Sequence, residues 1–253
     1  MNLEALRFDN KIVWVTGANQ GIGQELARSF AALGARVLGF DRHVTQQDAG
    51  MEAIELDVSD ADSVQRTLSR VLERDQRVDV IVNVAGVLAL GSIEDLTTAD
   101  WHHCWNVNAS GPFYFLRAAI PYLKRQRAGA IVNVGSNASH VPRMKMAAYA
   151  ASKAALVSLS QCAALELAPY GVRCNLVSPG STDTAMQRSM WANADGRSQV
   201  ISGSPEQFKL GIPLGKIAQP ADIVPAIIFL ASDLAHHITM QDIVIDGGAT
   251  LGC

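Results

Sequence analysis

Tyr149 and Lys153 stand four residues apart in Tyr149-Ala150-Ala151-Ser152-Lys153. On a helix that spacing puts both side chains on one face. A free phenol ionises near pH 10, so holding it as phenolate at pH 7 costs roughly 4 kcal/mol. An ammonium about 4 Å away returns a comparable amount at an effective dielectric near 20. The pair is therefore suited to take a proton from an alcohol. A solvated tyrosine and lysine are the plainer alternative, because the spacing recurs often by chance. Two other positions bear on the choice. Ser136 closes the run Val134-Gly135-Ser136, 13 residues before Tyr149, and Asn108 lies in the helix expected after the fourth strand.

A second group of residues suits a nucleotide. Thr16-Gly17-Ala18-Asn19-Gln20-Gly21-Ile22-Gly23 follows an apolar run and opens a helix. Glycines there let the main chain turn sharply and approach a pyrophosphate. The helix start adds free N–H groups and a partial positive charge. A merely tight turn is the alternative. Asp41 ends the second apolar run, where an acid hydrogen-bonds ribose hydroxyls. It repels a 2′-phosphate by on the order of 4 kcal/mol at an effective dielectric near 20, so NAD is expected rather than NADP. Arg42 dissents, since a guanidinium accepts such a phosphate; its plain reading is a solvated surface residue. Asp57, followed by Val58, ends a third run and is placed to touch adenine. Asn83-Val84-Ala85-Gly86 ends a fourth at the same edge.

The elements that must position these groups follow from hydrophobic periodicity. Strands are expected over 11–16, 35–41, 53–57, 78–83, 130–134, 172–177 and 242–246. Helices are expected over 21–33, 60–74, 98–124, 147–168 and 220–232. Apolar strands alternating with helices call for parallel pairing with both sheet faces covered. Right-handed crossovers then give an α/β fold: one doubly wound, Rossmann-like domain over 1–253 with a seven-stranded parallel sheet and helices on both faces. No Pro/Ser-rich linker, charge run or internal repeat divides the chain. The exception to the alternation is 181–215, expected to be a flap over a substrate site.

Composition narrows the function classes. The chain has 253 residues, of which 49% are hydrophobic and 18% charged. That is too apolar for disorder and long enough for a sizeable core. A formal net charge of -3 gives no reason to expect a nucleic-acid or membrane-surface partner. The start, Met1 to Leu6, lacks the pattern of a secretory signal, and apolar runs such as 223–232 fall short of a membrane span. A cytoplasmic protein is expected. Cys104, Cys162, Cys174 and Cys253 form no CxxC pair, so neither a disulfide framework nor a zinc site is expected. His102-His103 and His236-His237 lack a spaced third ligand, so no metal is expected.

In chain order these motifs resemble the short-chain dehydrogenase/reductase family. The matching residues are TGxxxGIG at 16–23, the acid Asp41, NxAG at 83–86, Ser136, YxxxK at 149–153, Pro179-Gly180 with Thr184, and Asp246-Gly247-Gly248. Val84 departs from the pattern, where the family often has a second asparagine. The resemblance implies a catalytic tetrad of Asn108, Ser136, Tyr149 and Lys153. Tyr149 would be the base and Lys153 its support, Ser136 would orient the substrate oxygen, and Asn108 would hold the lysine's water. It also implies that NAD is held by Gly17, Gln20, Gly21, Ile22, Gly23 and Asp41. Asp57, Val58, Asn83, Ala85 and Gly86 continue that surface, and Tyr149, Lys153, Pro179, Gly180, Thr182 and Thr184 complete it. Ile22 and Thr184 would face the carboxamide end. A homotetramer is implied too, with the last helix and strand near subunit contacts.

The segments 178–184, 186–188, 206–217 and 231–239, together with Pro142-Arg143 and the ending 246–252, resemble one branch of that family. That branch oxidises a carboxylated cyclic diol to a catechol acid in siderophore biosynthesis. The resemblance implies hydride transfer from the C3 alcohol. A carboxylate calls for a cation, and Arg143, six residues before Tyr149, can grip one at two points. Arg188 and Lys209 are further candidates. Ser136, Arg143, Met146, Tyr149 and Met186 are expected at the substrate, with Leu88, Leu90 and Phe208 as apolar walls and Trp191 as a shield. The rivals are the same chemistry on another alcohol or, with NADPH, on a 3-oxoacyl carrier-protein substrate, and a non-catalytic NAD-binding regulator. Asp41 and the lack of a basic run to dock an acidic carrier oppose the carrier-protein reading; the intact tetrad opposes the regulator.

Overall fold

Side chains of β1 (Ile12–Thr16) alternate between two apolar cores: Ile12 and Trp14 enter one, Val13 and Val15 the other. Period-two alternation with every position buried means a strand covered on both faces. The structure is a computed structural model that describes residues 6–44, 50–191 and 195–252, so Cys253 lies outside it. β1 is joined by β2 (Arg36–Asp41), β3 (Met51–Glu55), β4 (Val80–Asn83), β5 (Gly129–Val134), β6 (Val172–Pro179) and β9 (Asp242–Ile245). All are parallel, in the order β3-β2-β1-β4-β5-β6-β9. The short strands β7 (Gly203–Ser204) and β8 (Lys209–Leu210) form a separate antiparallel hairpin.

α1 (Gly21–Ala32) and α8 (Pro220–Ala231) cover the face that carries Val13 and Val15. α2 (Ala61–Asp75), α4 (Gly111–Gln126) and α5 (Ala147–Leu167) cover the Trp14 face. There Trp14, Phe40 and Phe115 meet edge to face, with centroids 5.3–6.4 Å apart, the geometry ring quadrupoles prefer.

Two differences from expectation bear on the site. The third strand runs 51–55 rather than 53–57, which leaves Asp57 in the loop beyond it. The helix expected over 98–124 is broken: α3 (Thr98–Trp105) passes through a π turn at Asn106–Ser110 into α4. Pro112 has no N–H to offer the Asn108 carbonyl four residues back, so a regular ladder cannot run through this point. Asn108 sits in that turn, fully buried.

The centre of the sheet is held by a polar pair. Asn83 and Asn133 are register partners. The Asn83 amide donates to Asn133 Oδ1 (2.7 Å), and Asn133 Nδ2 donates to Ser160 Oγ on α5 (2.7 Å). The Asn83 amide is therefore engaged within the sheet, at the strand end where a nucleotide contact was expected. Replacing Asn133 by Ala removes both bonds and strands the buried Asn83 amide. We expect a loss of about 2–3 kcal/mol in urea unfolding; a loss below about 1 kcal/mol would show that this pair does not hold β4, β5 and α5 together.

Candidate active site

The chain leaves β1 for β2 on one side and later returns to β4 on the other. The ends of β1 and β4 therefore frame the crevice where doubly wound sheets bind ligands. Thr16 Oγ1 accepts from the N–H groups of Val84 (3.0 Å) and Ala85 (3.1 Å), tying the glycine turn to the loop after β4. A side-chain carbon at Gly23 would lie 2.1 Å from the Gly17 carbonyl oxygen. The first turn of α1 packs this closely only because Gly23 has no Cβ, and that leaves its N–H groups open to an anion.

A cavity of about 880 Å³ opens from this crevice. Gly17, Gln20, Gly21, Ile22, Gly23, Ala85 and Gly86 line one side. Pro179, Gly180, Thr182 and Thr184 line another, and Ser136, Tyr149 and Lys153 complete the wall between them. The expected adenosine-side residues lie beyond the cavity at the same sheet edge. Asp41 follows the register pair Thr16–Phe40, and its carboxylate accepts from the Asn19 N–H (3.0 Å) in the glycine turn. Asp57 accepts from the Ser59 N–H (2.9 Å) and hydroxyl (2.6 Å). Burial pushes its carboxyl up, but those bonds and the nearby Arg42 charge more than offset this and hold it low. Val58 is buried against Gly111. The glycine cradle, the helix start and this acid-bearing edge fit a dinucleotide.

The catalytic candidates converge from three elements. Ser136 follows β5. Its Oγ accepts from the Ala138 N–H (3.1 Å), which leaves its proton to be donated elsewhere. Tyr149 and Lys153 share a face of α5. Burial pushes the Tyr149 phenol up, and the Ser136 hydroxyl bonded to it pulls in the opposite direction. Burial also lowers Lys153, to about 8. The lysine was expected to be the group that acidifies the phenol. Its ammonium donates to the Val134 carbonyl (2.7 Å), with Nζ 6.0 Å from the tyrosine ring centroid. A buried ammonium needs an acceptor, and the end of β5 supplies one. Asn108 lies behind this wall. Its side chain accepts from the Val87 N–H (2.9 Å) and donates to the Val87 carbonyl (2.9 Å) and Ser152 Oγ (3.0 Å).

On the substrate side, Arg143, Met146, Met186, Leu88, Leu90 and Trp191 line the cavity. Two expectations fail. Phe208, at positive φ in the tip of the β7–β8 hairpin, is 88% exposed and does not line it. Arg188 is held by Asp183 at 2.6 Å and is not among the cavity's lining residues. The segment 181–215 forms α6 (Ala185–Arg188), α7 (Gly196–Ser202) and the hairpin, and all of these contribute to the wall. Asn137, Lys145 and Gln199 line the cavity as well. Only Asn137 had a signal in the sequence: it follows Ser136 and bonds Asp246 of the Asp-Gly-Gly motif (3.2 Å).

A parallel seven-stranded sheet, a glycine cradle and a Ser–Tyr–Lys wall define a nicotinamide-dinucleotide oxidoreductase, and the chain belongs to the short-chain dehydrogenase/reductase family. A family model described as enoyl-(acyl carrier protein) reductase matches residues 17–250. The 2,3-dihydro-2,3-dihydroxybenzoate dehydrogenase of Escherichia coli (strain K12) is 52% identical, over 97% of this chain and 99% of that protein. The Bacillus subtilis (strain 168) protein of the same name is 45% identical, over 99% and 100%. Among solved structures, the Thermoplasma acidophilum aldohexose dehydrogenase superposes with a TM-score of 0.88 at 31% identity, covering 99% of this chain and 97% of that one.

Gly23→Ala should force the cradle open and weaken dinucleotide binding about tenfold or more, equivalent to roughly 1.4 kcal/mol. Quenching of protein fluorescence by NADH reads this directly; unchanged affinity would remove the cradle from the site.

Proposed function

We propose that this protein oxidises 2,3-dihydro-2,3-dihydroxybenzoate at its C3 alcohol with NAD, giving 2,3-dihydroxybenzoate after tautomerisation, as a step of catechol siderophore biosynthesis. The observation that carries this reading is that the Tyr149–Lys153 pair and Arg143 border one cavity: a proton acceptor and a carboxylate-gripping cation face the same space. The relatives named above favour this substrate over other alcohols.

The residues divide the work as follows. Tyr149 takes the hydroxyl proton from the alcohol. Ser136 holds the substrate oxygen and orients it toward Tyr149. Lys153, in its charged form, favours the phenolate and relays the proton inward. Asn108 supports a water beside the lysine; Pro112 leaves its main-chain carbonyl without the usual helical donor. Arg143 grips the carboxylate at two points. Bound in its oxidised form, the dinucleotide supplies a hydride acceptor and a positive ring. Gly17 to Gly23 hold its pyrophosphate, and Asp41, tied to Asn19, takes ribose hydroxyls and disfavours a 2′-phosphate. Ile22, Pro179, Gly180, Thr182 and Thr184 hold its nicotinamide end. Aromatisation of the product makes this direction strongly downhill.

The working form is a homotetramer, with α8 and β9 near subunit contacts, and its compartment is the cytoplasm. The thiols of Cys104, Cys162 and Cys174 are free, which suits a reducing compartment. No helix among the described residues is long and apolar enough to cross a membrane. A monomer in sedimentation would refute the assembly.

A screen of cyclic diol acids with NAD and NADP tests the reaction, with a catechol product and NADH expected and NADP much the poorer acceptor. No catechol from any diol acid would contradict it. Tyr149→Phe should bind NADH normally and lose turnover by about 10³-fold, within the range for a general base. Wild-type turnover in that variant would remove Tyr149 as the base.

A further inference from the structure

The cavity is more positive than the chain around it. Arg143, Lys145, Lys153 and Lys209 line it, and Glu206 is the acid among its described lining residues, in a chain of formal net charge -3. Lys153 belongs to the proton-accepting pair, and Lys145 is exposed. Lys209 has no role in the reaction as derived so far. It sits on β8 opposite Ser204 of β7, in the segment that folds over the substrate side.

We propose that Lys209 is the second jaw of an anion clamp: with Arg143 it holds the substrate carboxylate between the β7–β8 hairpin and the loop that precedes Tyr149. This rests on the reading that the substrate is a carboxylate.

Three observations carry it. First, Lys209 makes no ion pair within 4.0 Å among the described residues, although it is only partly exposed. Glu206, three residues earlier, instead takes a hydrogen bond from the Ser204 hydroxyl (3.1 Å). Second, burial lowers the Lys209 ammonium and the Arg143 charge lowers it further, so the two cations feel each other across the cavity. Like charges at a partly dry wall are costly, and an anion between them removes that cost. The influence comes from Arg143, in the loop before Tyr149, which marks the substrate side rather than the pyrophosphate cradle. Third, the hairpin is pinned at its base. Ile212 N–H donates to the Ile201 carbonyl (2.8 Å), and a side-chain carbon at Gly211 would lie 2.3 Å from that oxygen. Lys209 is thus presented from a fixed base rather than from a free loop.

The clamp makes Lys209 a specificity residue: it separates the diol acid from an uncharged diol of the same ring. The test is calorimetric titration of the NADH-bound protein with 2,3-dihydroxybenzoate and, separately, with catechol. The wild type should bind the acid more tightly than catechol. Lys209→Gln should weaken the acid about tenfold, as loss of a charge-assisted hydrogen bond does, while catechol stays within about twofold. Lys209→Arg should keep most of the preference. Arg143→Gln should act like Lys209→Gln, and the double variant should fall short of the product of the two, because both groups grip one anion. Equal loss for acid and catechol in Lys209→Gln, or loss for neither, overturns the clamp. A wild type with no preference for the acid overturns it too. These readings need no turnover, so a protein that oxidises no diol acid would defeat the proposed reaction separately from the clamp.

Discussion

A lysine ammonium cut off from water dictates much of this site. Lys153 is 4% exposed, and burial shifts it to about 8, a preference for the neutral amine of roughly 3 kcal/mol relative to a free lysine. Such a group persists only where an acceptor and a task are built around it. The acceptor is the last carbonyl of β5. The task we propose is to share a proton with Tyr149, one helical turn away. In the proposed reaction the two would act as one proton-exchanging unit.

That unit stays in place because the sheet and α5 are locked together beneath it. Asn133 on β5 bonds Ser160 on α5, and Asn83 on β4 bonds Asn133. The strand that offers its carbonyl and the helix that carries the lysine therefore cannot drift apart. The loop between them is tied as well. His140 Nε2 meets Asp242 at the end of the sheet (2.9 Å), and the Gly91 N–H donates to the Lys145 carbonyl (3.0 Å). Arg143 lies between those anchors. The same edge thus carries Tyr149, the Gly17 to Gly23 turn and Arg143 around one cavity, while the segment after β6 closes the remaining side.

Much of this was legible in the chain. Apolar runs alternating with helical spacing marked all seven sheet strands and their parallel pairing, since few topologies bury such strands on both faces. Residues at strand ends and helix starts, such as Gly17, Ser136 and Tyr149, were legible as a site because the topology sends those ends to one edge. What stayed hidden depended on partners distant in sequence. Asn83 reads as a strand-end residue in the sequence, and nothing there shows that its amide bonds Asn133, 50 residues on. Arg188 and Lys209 are alike as cations in one segment, yet Asp183 holds one and leaves the other to the cavity. Phe208 has the composition of a wall and the conformation of a turn tip. The break at Asn106–Ser110 was foreshadowed only by Pro112, which spacing rules alone pass over within a long helix.

The pH dependence of kcat/KM for diol acid oxidation, with NAD saturating, compared between the wild type and Lys153→Met, tests the central claim most directly. Lys153, with its value lowered to about 8, is charged below that pH. Its charge should let Tyr149 give up a proton below the range of a free phenol, so the wild-type profile should rise with a midpoint below pH 10. Removing the lysine should abolish that midpoint and push the remaining activity toward the range of an unassisted phenol, near pH 10 or above. The same midpoint in both proteins would mean that the ammonium and the phenol do not share the proton, and the account of the site would fail.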